Sequence, residues 1–116
     1  MRRSLSTSSV FSKRLKEARL RSGLSQEQLG IEAGIDEFSA SARINQYETG
    51  KHMPKLQTAQ RLAKVLHVPT SFLYEDNDLL ARLLITAAAL PSQHINALLE
   101  FAEEIAPIPS TALKIK

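Results

Sequence analysis

The sequence predicts an all-α chain, with five short helices in one small domain and a helical hairpin after them, and three observations lead there. Apolar residues recur at intervals of three and four through most of the 116 residues, and no stretch of consequence alternates with the period of a strand. Helix-starting serines and threonines and helix-stopping glycines fall between those runs, at distances that suit short helices. Two leucine- and isoleucine-rich stripes near the C-terminus are separated by Pro91-Ser92, the pattern of two helices folded back on each other.

Residues 1–9 are basic and serine-rich and read as a flexible arm. A first helix over residues 10–22 gathers Phe11, Leu15 and Ala18 on one face and ends at Gly23. The second starts at Ser25, whose side-chain oxygen can accept from a free backbone N–H while Gln28, three residues on, returns the bond. Leu29 and Ile35 turn inward there, and Gly30 lets a neighbouring helix come close. In the third helix, capped at Ser39 or Ala40 and stopped by Gly50 with Lys51 behind it, Ile44 and Tyr47 face the core. The fourth follows Pro54 with Leu56, Ala59, Leu62, Ala63 and Leu66 at helical spacing, and His67 takes the terminal position where glycine is common. Val68-Pro69 breaks the chain and Thr70 caps a short fifth helix with Phe72, Leu73 and Tyr74. The first domain therefore spans residues 10–75, and acidic residues 75–78 form a linker or a negatively charged helix start. The hairpin spans 76–106, and residues 107–116 form a loose tail.

Charge is distributed unevenly. The net charge is +3, yet residues 1–22 carry seven basic residues against Glu17 alone, while residues 76–116 carry three basic against five acidic. That asymmetry suits a nucleic-acid-facing front and a protein-facing back. With no cysteine, disulfides, thiol catalysis and cysteine-based zinc sites are excluded. No stretch reads as a membrane span or a signal-peptide core, which points to a cytoplasmic protein. His52, His67 and His94 are too scattered for a metal or triad cluster, and no glycine loop for phosphate is present. The expectation is a chain that is not an enzyme and takes no cofactor or metal.

Outside its core face, the third helix exposes an unusual set: Ser41, Ala42, Arg43, Asn45 and Gln46. Asn and Gln amides bond bidentately to adenine, Arg does so to guanine, and Ala touches a thymine methyl. Two short helices in this order, the second with such a surface, point to DNA. The ordered set Phe11, Arg14-Leu15, Ala18-Arg19, Gly23-Leu24-Ser25-Gln26, Leu29, Ile44, Tyr47-Glu48, Gly50-Lys51, Pro54, Leu56, Ala59, Leu62-Ala63, Leu66 and Val68-Pro69 resembles the lambda-repressor-like helix-turn-helix domains of phage repressors, Cro proteins and small bacterial regulators.

The resemblance implies a sequence-specific regulator of transcription that binds double-stranded DNA, in the form of a repressor. It implies base contacts from Ser41, Ala42, Arg43, Asn45 and Gln46, with Gln46 and Ser41 best placed, and backbone contacts from Gln26, Thr49, Lys51 and His52. It also implies a buried structural ion pair between Arg19 and Glu48. The apolar stripes Leu79, Leu80, Leu83, Leu84 and Ala87, and Ile95, Leu98, Leu99, Ala102 and Ile105, exceed what one small domain covers, so they are expected to make a homodimer on a palindromic operator. The alternative is an antitoxin or controller of the same fold whose hairpin binds a different chain. One departure from the family stands out: the connection between the second and third helices is about four residues longer than a three- or four-residue turn, the surplus being residues 36–39.

Overall fold

A computed structural model describes residues 7–106. Its elements are α1 (Thr7–Ser22), α2 (Gln26–Glu32), α3 (Ala40–Thr49), α4 (Leu56–Leu66), a 3₁₀ helix (Thr70–Tyr74), α5 (Asp78–Ala88) and α6 (Ser92–Ile105). Among the described residues every element is helical, as the periodicity predicts. The first helix begins at Thr7, so the expected arm over residues 1–9 gives its last three residues to α1. Residues 1–6 of that arm, and the expected tail over 107–116, lie outside the described residues.

Local chemistry accounts for where the helices start and stop. The Ser25 hydroxyl accepts from Gln28 N–H at 3.0 Å and Ser25 N–H donates to Gln28 Oε1 at 2.9 Å, a complete capping box that defines the start of α2. Gly23 and Gly50 adopt left-handed φ values of 73° and 79° at the ends of α1 and α3. His67 closes α4 in the same region, at φ 57°, the conformation usually left to glycine. Asn77 caps α5 by accepting from Leu80 N–H at 3.0 Å.

Phe11 and Leu15 of α1, Leu29 of α2, Ile44 and Tyr47 of α3, Leu62 and Leu66 of α4, and Phe72 and Leu73 of the 3₁₀ helix close one apolar core. Phe11 also packs against the Tyr74 ring, with centroids 5.3 Å apart. Gly30 allows a close approach: a Cβ there would sit 2.8 Å from Ala40 Cβ and 3.0 Å from Ala40 Cα, so α2 and α3 meet almost backbone to backbone.

The acidic stretch after Tyr74 is clamped to α1 and runs into α5, whose first turn holds Asp78 as the negatively charged start, one of the two expected readings. Arg14, whose side chain is only 4% exposed, donates to the carbonyls of Glu75 (2.7 Å) and Asp76 (3.0 Å) and to the Asp78 carboxylate (2.9 Å). Its guanidinium also lies over the Phe72 ring. Lys13 reaches Asp78 as well, at 3.3 Å, and these cations hold the Asp78 carboxyl below its ordinary pKa. Ala81 of α5 is buried and Ile85 packs against the core, so α5 turns one face to the domain and another away from it.

Candidate nucleic-acid interface

The surface of α3 is built from its neighbours outward. Residues 36–39 form a small self-bonded turn, in which Phe38 N–H donates to Asp36 Oδ2 (3.2 Å) and Ser39 N–H to the Asp36 carbonyl (3.0 Å). The longer connection is thus accommodated before α3, which starts at Ala40 with Ser39 as N-cap but without a side-chain cap bond. Phe38, at 99% exposure, stands on the tip of that turn. Ala40, Ile44 and Tyr47 are buried, and the Tyr47 carbonyl is tied to α1 by the Ser12 hydroxyl at 2.7 Å.

With those three side chains inward, Ser41, Ala42, Arg43 and Asn45 are exposed and Gln46 is half-buried. Thr49, Lys51 and His52 follow on the surface; the Gln46 carbonyl accepts from the Thr49 hydroxyl (3.3 Å) and from His52 N–H (3.3 Å), which draws the chain after α3 back beside it. The outward side chains are thus amides, hydroxyls and cations, with the Ala42 methyl among them.

Behind that surface, Arg19 and Glu48 meet fork to fork. Arg19 Nε lies 2.6 Å from Glu48 Oε2 and Nη2 lies 3.0 Å from Oε1, with the two side chains 11% and 3% exposed. Arg19 Nη1 also donates to the Leu24 carbonyl at 3.0 Å, and the bond to Glu48 raises the Arg19 pKa, so the cation persists at every ordinary pH. Gln26 joins the pair from α2, its Nε2 lying 3.2 Å from Glu48 Oε1 and 3.3 Å from Asn45 Oδ1. Both N–H donors of the Gln26 side chain are therefore engaged within the protein, and its remaining oxygen is an acceptor, which a phosphate repels.

The hairpin residues separate into two sets. Leu80, Leu83, Leu84 and Ala87 of α5 face Ile95, Leu98, Leu99 and Ala102 of α6 across an apolar groove of about 340 Å³. Leu79 and Ile105 are exposed but do not line it.

Three features escape sequence reasoning. Arg14 falls at helical spacing between Phe11 and Ala18, a position that did signal burial, but the carbonyls that satisfy it are not encoded nearby. Ala81 and Ile85 are four apart and could have been read as a second face of α5. The engagement of Gln26 left no signal in the sequence.

No group of acidic or histidine residues suited to a metal ion occurs among the described residues, and none of the described helices is long and apolar enough to cross a membrane.

Two short helices held at a glycine contact, the second with a polar outward face, define a helix-turn-helix protein. Residues 15–73 match the family model described as helix-turn-helix. The cryptic phage CTXphi transcriptional repressor RstR of Vibrio cholerae is 32% identical over 69 residues, covering 60% of this chain and 59% of that protein, so the match spans about three fifths of that relative's length. The crystal structure of the transcriptional regulator BswR superposes with a TM-score of 0.76 at 47% identity, covering 80% of this chain and 92% of that one. The chain belongs to the helix-turn-helix family, in its lambda-repressor-like branch.

Proposed function

We propose that this protein is a sequence-specific, double-stranded-DNA-binding regulator of transcription that acts as a dimeric repressor. The observation that carries the reading is the outward surface of α3, where exposed Ser41, Ala42, Arg43 and Asn45 and half-buried Gln46 stand over a core face of Ala40, Ile44 and Tyr47. Side chains of those types match the edges of bases in the major groove. Lys51, Thr49 and His52 flank that surface and meet phosphates, with Gln26 at its other border contributing its backbone N–H. The repressor role is supported by the relative RstR, which is named a transcriptional repressor.

The groove between α5 and α6 supports the dimer. Leu80, Leu83 and Leu99 are about half exposed in the single chain, and water-exposed leucines in one continuous groove are stabilised when a second copy covers them. Two copies related by a two-fold axis place two recognition helices on successive turns of the major groove, about 34 Å apart, which matches a palindromic operator.

Selection of binding sites from random duplexes tests the reading. The expected result is enrichment of an inverted repeat with half-site centres about 10 base pairs apart, bound by two chains per site. Duplexes bound alike regardless of sequence refute it.

A further inference from the structure

The turn that lengthens the connection between α2 and α3 holds a phenylalanine out to solvent in a fixed direction. Phe38 is 99% exposed, more than any other large apolar side chain among the described residues, while Ala40, two residues on, is fully buried. Phe38 N–H donates to Asp36 Oδ2 at 3.2 Å, Ser39 N–H to the Asp36 carbonyl at 3.0 Å and Ala40 N–H to the Glu37 carbonyl at 3.5 Å. The last two bonds close over three residues, as in a 3₁₀ turn, and Ser39 keeps a right-handed helical backbone (φ −110°, ψ −1°), so the turn winds directly into α3. At three to 3.6 residues per turn, Phe38 lies over Ser41 and Ala42 and in line with Asn45, opposite buried Ala40, Ile44 and Tyr47. The ring therefore extends the outward face of α3 by one turn at its N-terminal end.

We propose that Phe38 enters the major groove ahead of α3 and packs against the 5-methyl group of a thymine, at a base pair beyond those met by α3 itself. The inference rests on the reading of α3 as the DNA-facing helix. In a helix-turn-helix complex the N-terminal residues of the second helix come nearest the base edges, and that is the end to which this turn delivers the ring. Asp36 and Glu37 make the same tip unsuited to phosphate, which leaves the phenyl group as what it offers to DNA. Base edges in the major groove present donors, acceptors and one apolar group, the thymine methyl. A ring without polar atoms gains by excluding water from that methyl and gains nothing from the others. Phe38 is thus a specificity residue supplied by the longer turn, acting by apolar contact where α3 acts through amides and a guanidinium.

The test starts from site selection with the full chain, wild type and Phe38→Ala side by side. The expected result is a thymine preference at one position that the variant loses and Gln46→Ala keeps. Replacing that thymine by deoxyuridine removes the methyl group alone and should weaken wild-type binding about threefold to fivefold in fluorescence anisotropy, with no effect on Phe38→Ala. Thymine preference that survives in Phe38→Ala, or wild-type binding indifferent to deoxyuridine, overturns the contact while sequence-specific binding stands. Unaltered preferences with an altered mass in light scattering overturn it as well and assign the ring to a protein contact. Wild-type protein that selects no sequence overturns the proposed function and this contact together. With its ring in water, Phe38→Ala should keep the wild-type melting temperature, and a clear fall would show that the ring packs within the chain and is not free to meet DNA.

Discussion

Glu48 and Gln46 sit two residues apart in α3 and should fail in different ways when replaced. Glu48→Ala leaves the Arg19 guanidinium in a site where its side chain is 11% exposed, without the carboxylate that neutralises it. Removing one partner of such a pair costs about 3–5 kcal/mol, against about 0–1 for a surface pair. Denaturant unfolding of the variant separates these outcomes, and a loss below about 1 kcal/mol would place the pair with surface ones. Gln46→Ala acts on DNA instead: it should cost about 1–3 kcal/mol at the preferred site and relax preference at one base pair. Lys51→Ala should weaken binding to all sequences alike and reduce the salt slope by about one. Equal weakening of every duplex by Gln46→Ala would mean that this side chain does not read a base.

At the scale of elements, the α2–α3 contact depends on a missing side chain. A methyl group on Gly30 would come within 2.8 Å of Ala40 Cβ and 3.0 Å of its backbone, so Gly30→Ala must push the two helices apart although alanine is the better helix former. The expected result is a loss of about 1–3 kcal/mol in thermal or chemical unfolding, with operator binding weakened further because α3 changes tilt. Stability equal to or above wild type would show that the helices separate without strain. The joint to α5 responds to acid. Hydrogen bonds from Arg14 and then Lys13 lower the Asp78 pKa in the folded chain, so its contribution is present above the ordinary carboxylate range and fades as pH falls through the lowered value. Hydrogen-exchange protection of α5, taken relative to the intrinsic rate at each pH, should therefore fall below about pH 4, and Asp78→Asn should already show the lower protection at neutral pH.

For the whole molecule the question is what covers the hairpin groove. Cutting the chain at Tyr74 would answer poorly, because it removes the Glu75 and Asp76 carbonyls and the Asp78 carboxylate from Arg14 and uncovers the core face under Ala81. A charge placed in the groove is cleaner. Leu99→Glu, on the α6 wall and half exposed in the single chain, should leave the melting temperature of the first domain intact, yield a monomer in light scattering and bind a full operator far more weakly than wild type. A variant that still dimerises, or a wild-type protein that is monomeric at high concentration, would assign the groove to a different chain.

Helix order, caps and most of the core were readable from the residues because they depend on short-range chemistry. Ser25 and Gln28 are three apart, Gly23 and Gly50 stop helices by their own backbone freedom, and Phe11, Leu15 and Ala18 mark a face by spacing alone. The polar surface of α3 is readable for the same reason, because Ile44 and Tyr47, three apart, mark its inward side. What only the tertiary structure decided involves partners far along the chain. Arg14 finds three of its acceptors 61 to 64 residues away, and Gln26 finds Asn45 and Glu48 at 19 and 22. A hydrogen bond is satisfied by whichever group folding brings within about 3 Å, and periodicity carries no record of that choice. The sequence by itself thus determined which helices form and which faces they bury, while the tertiary structure decided which polar atoms were left to face outward.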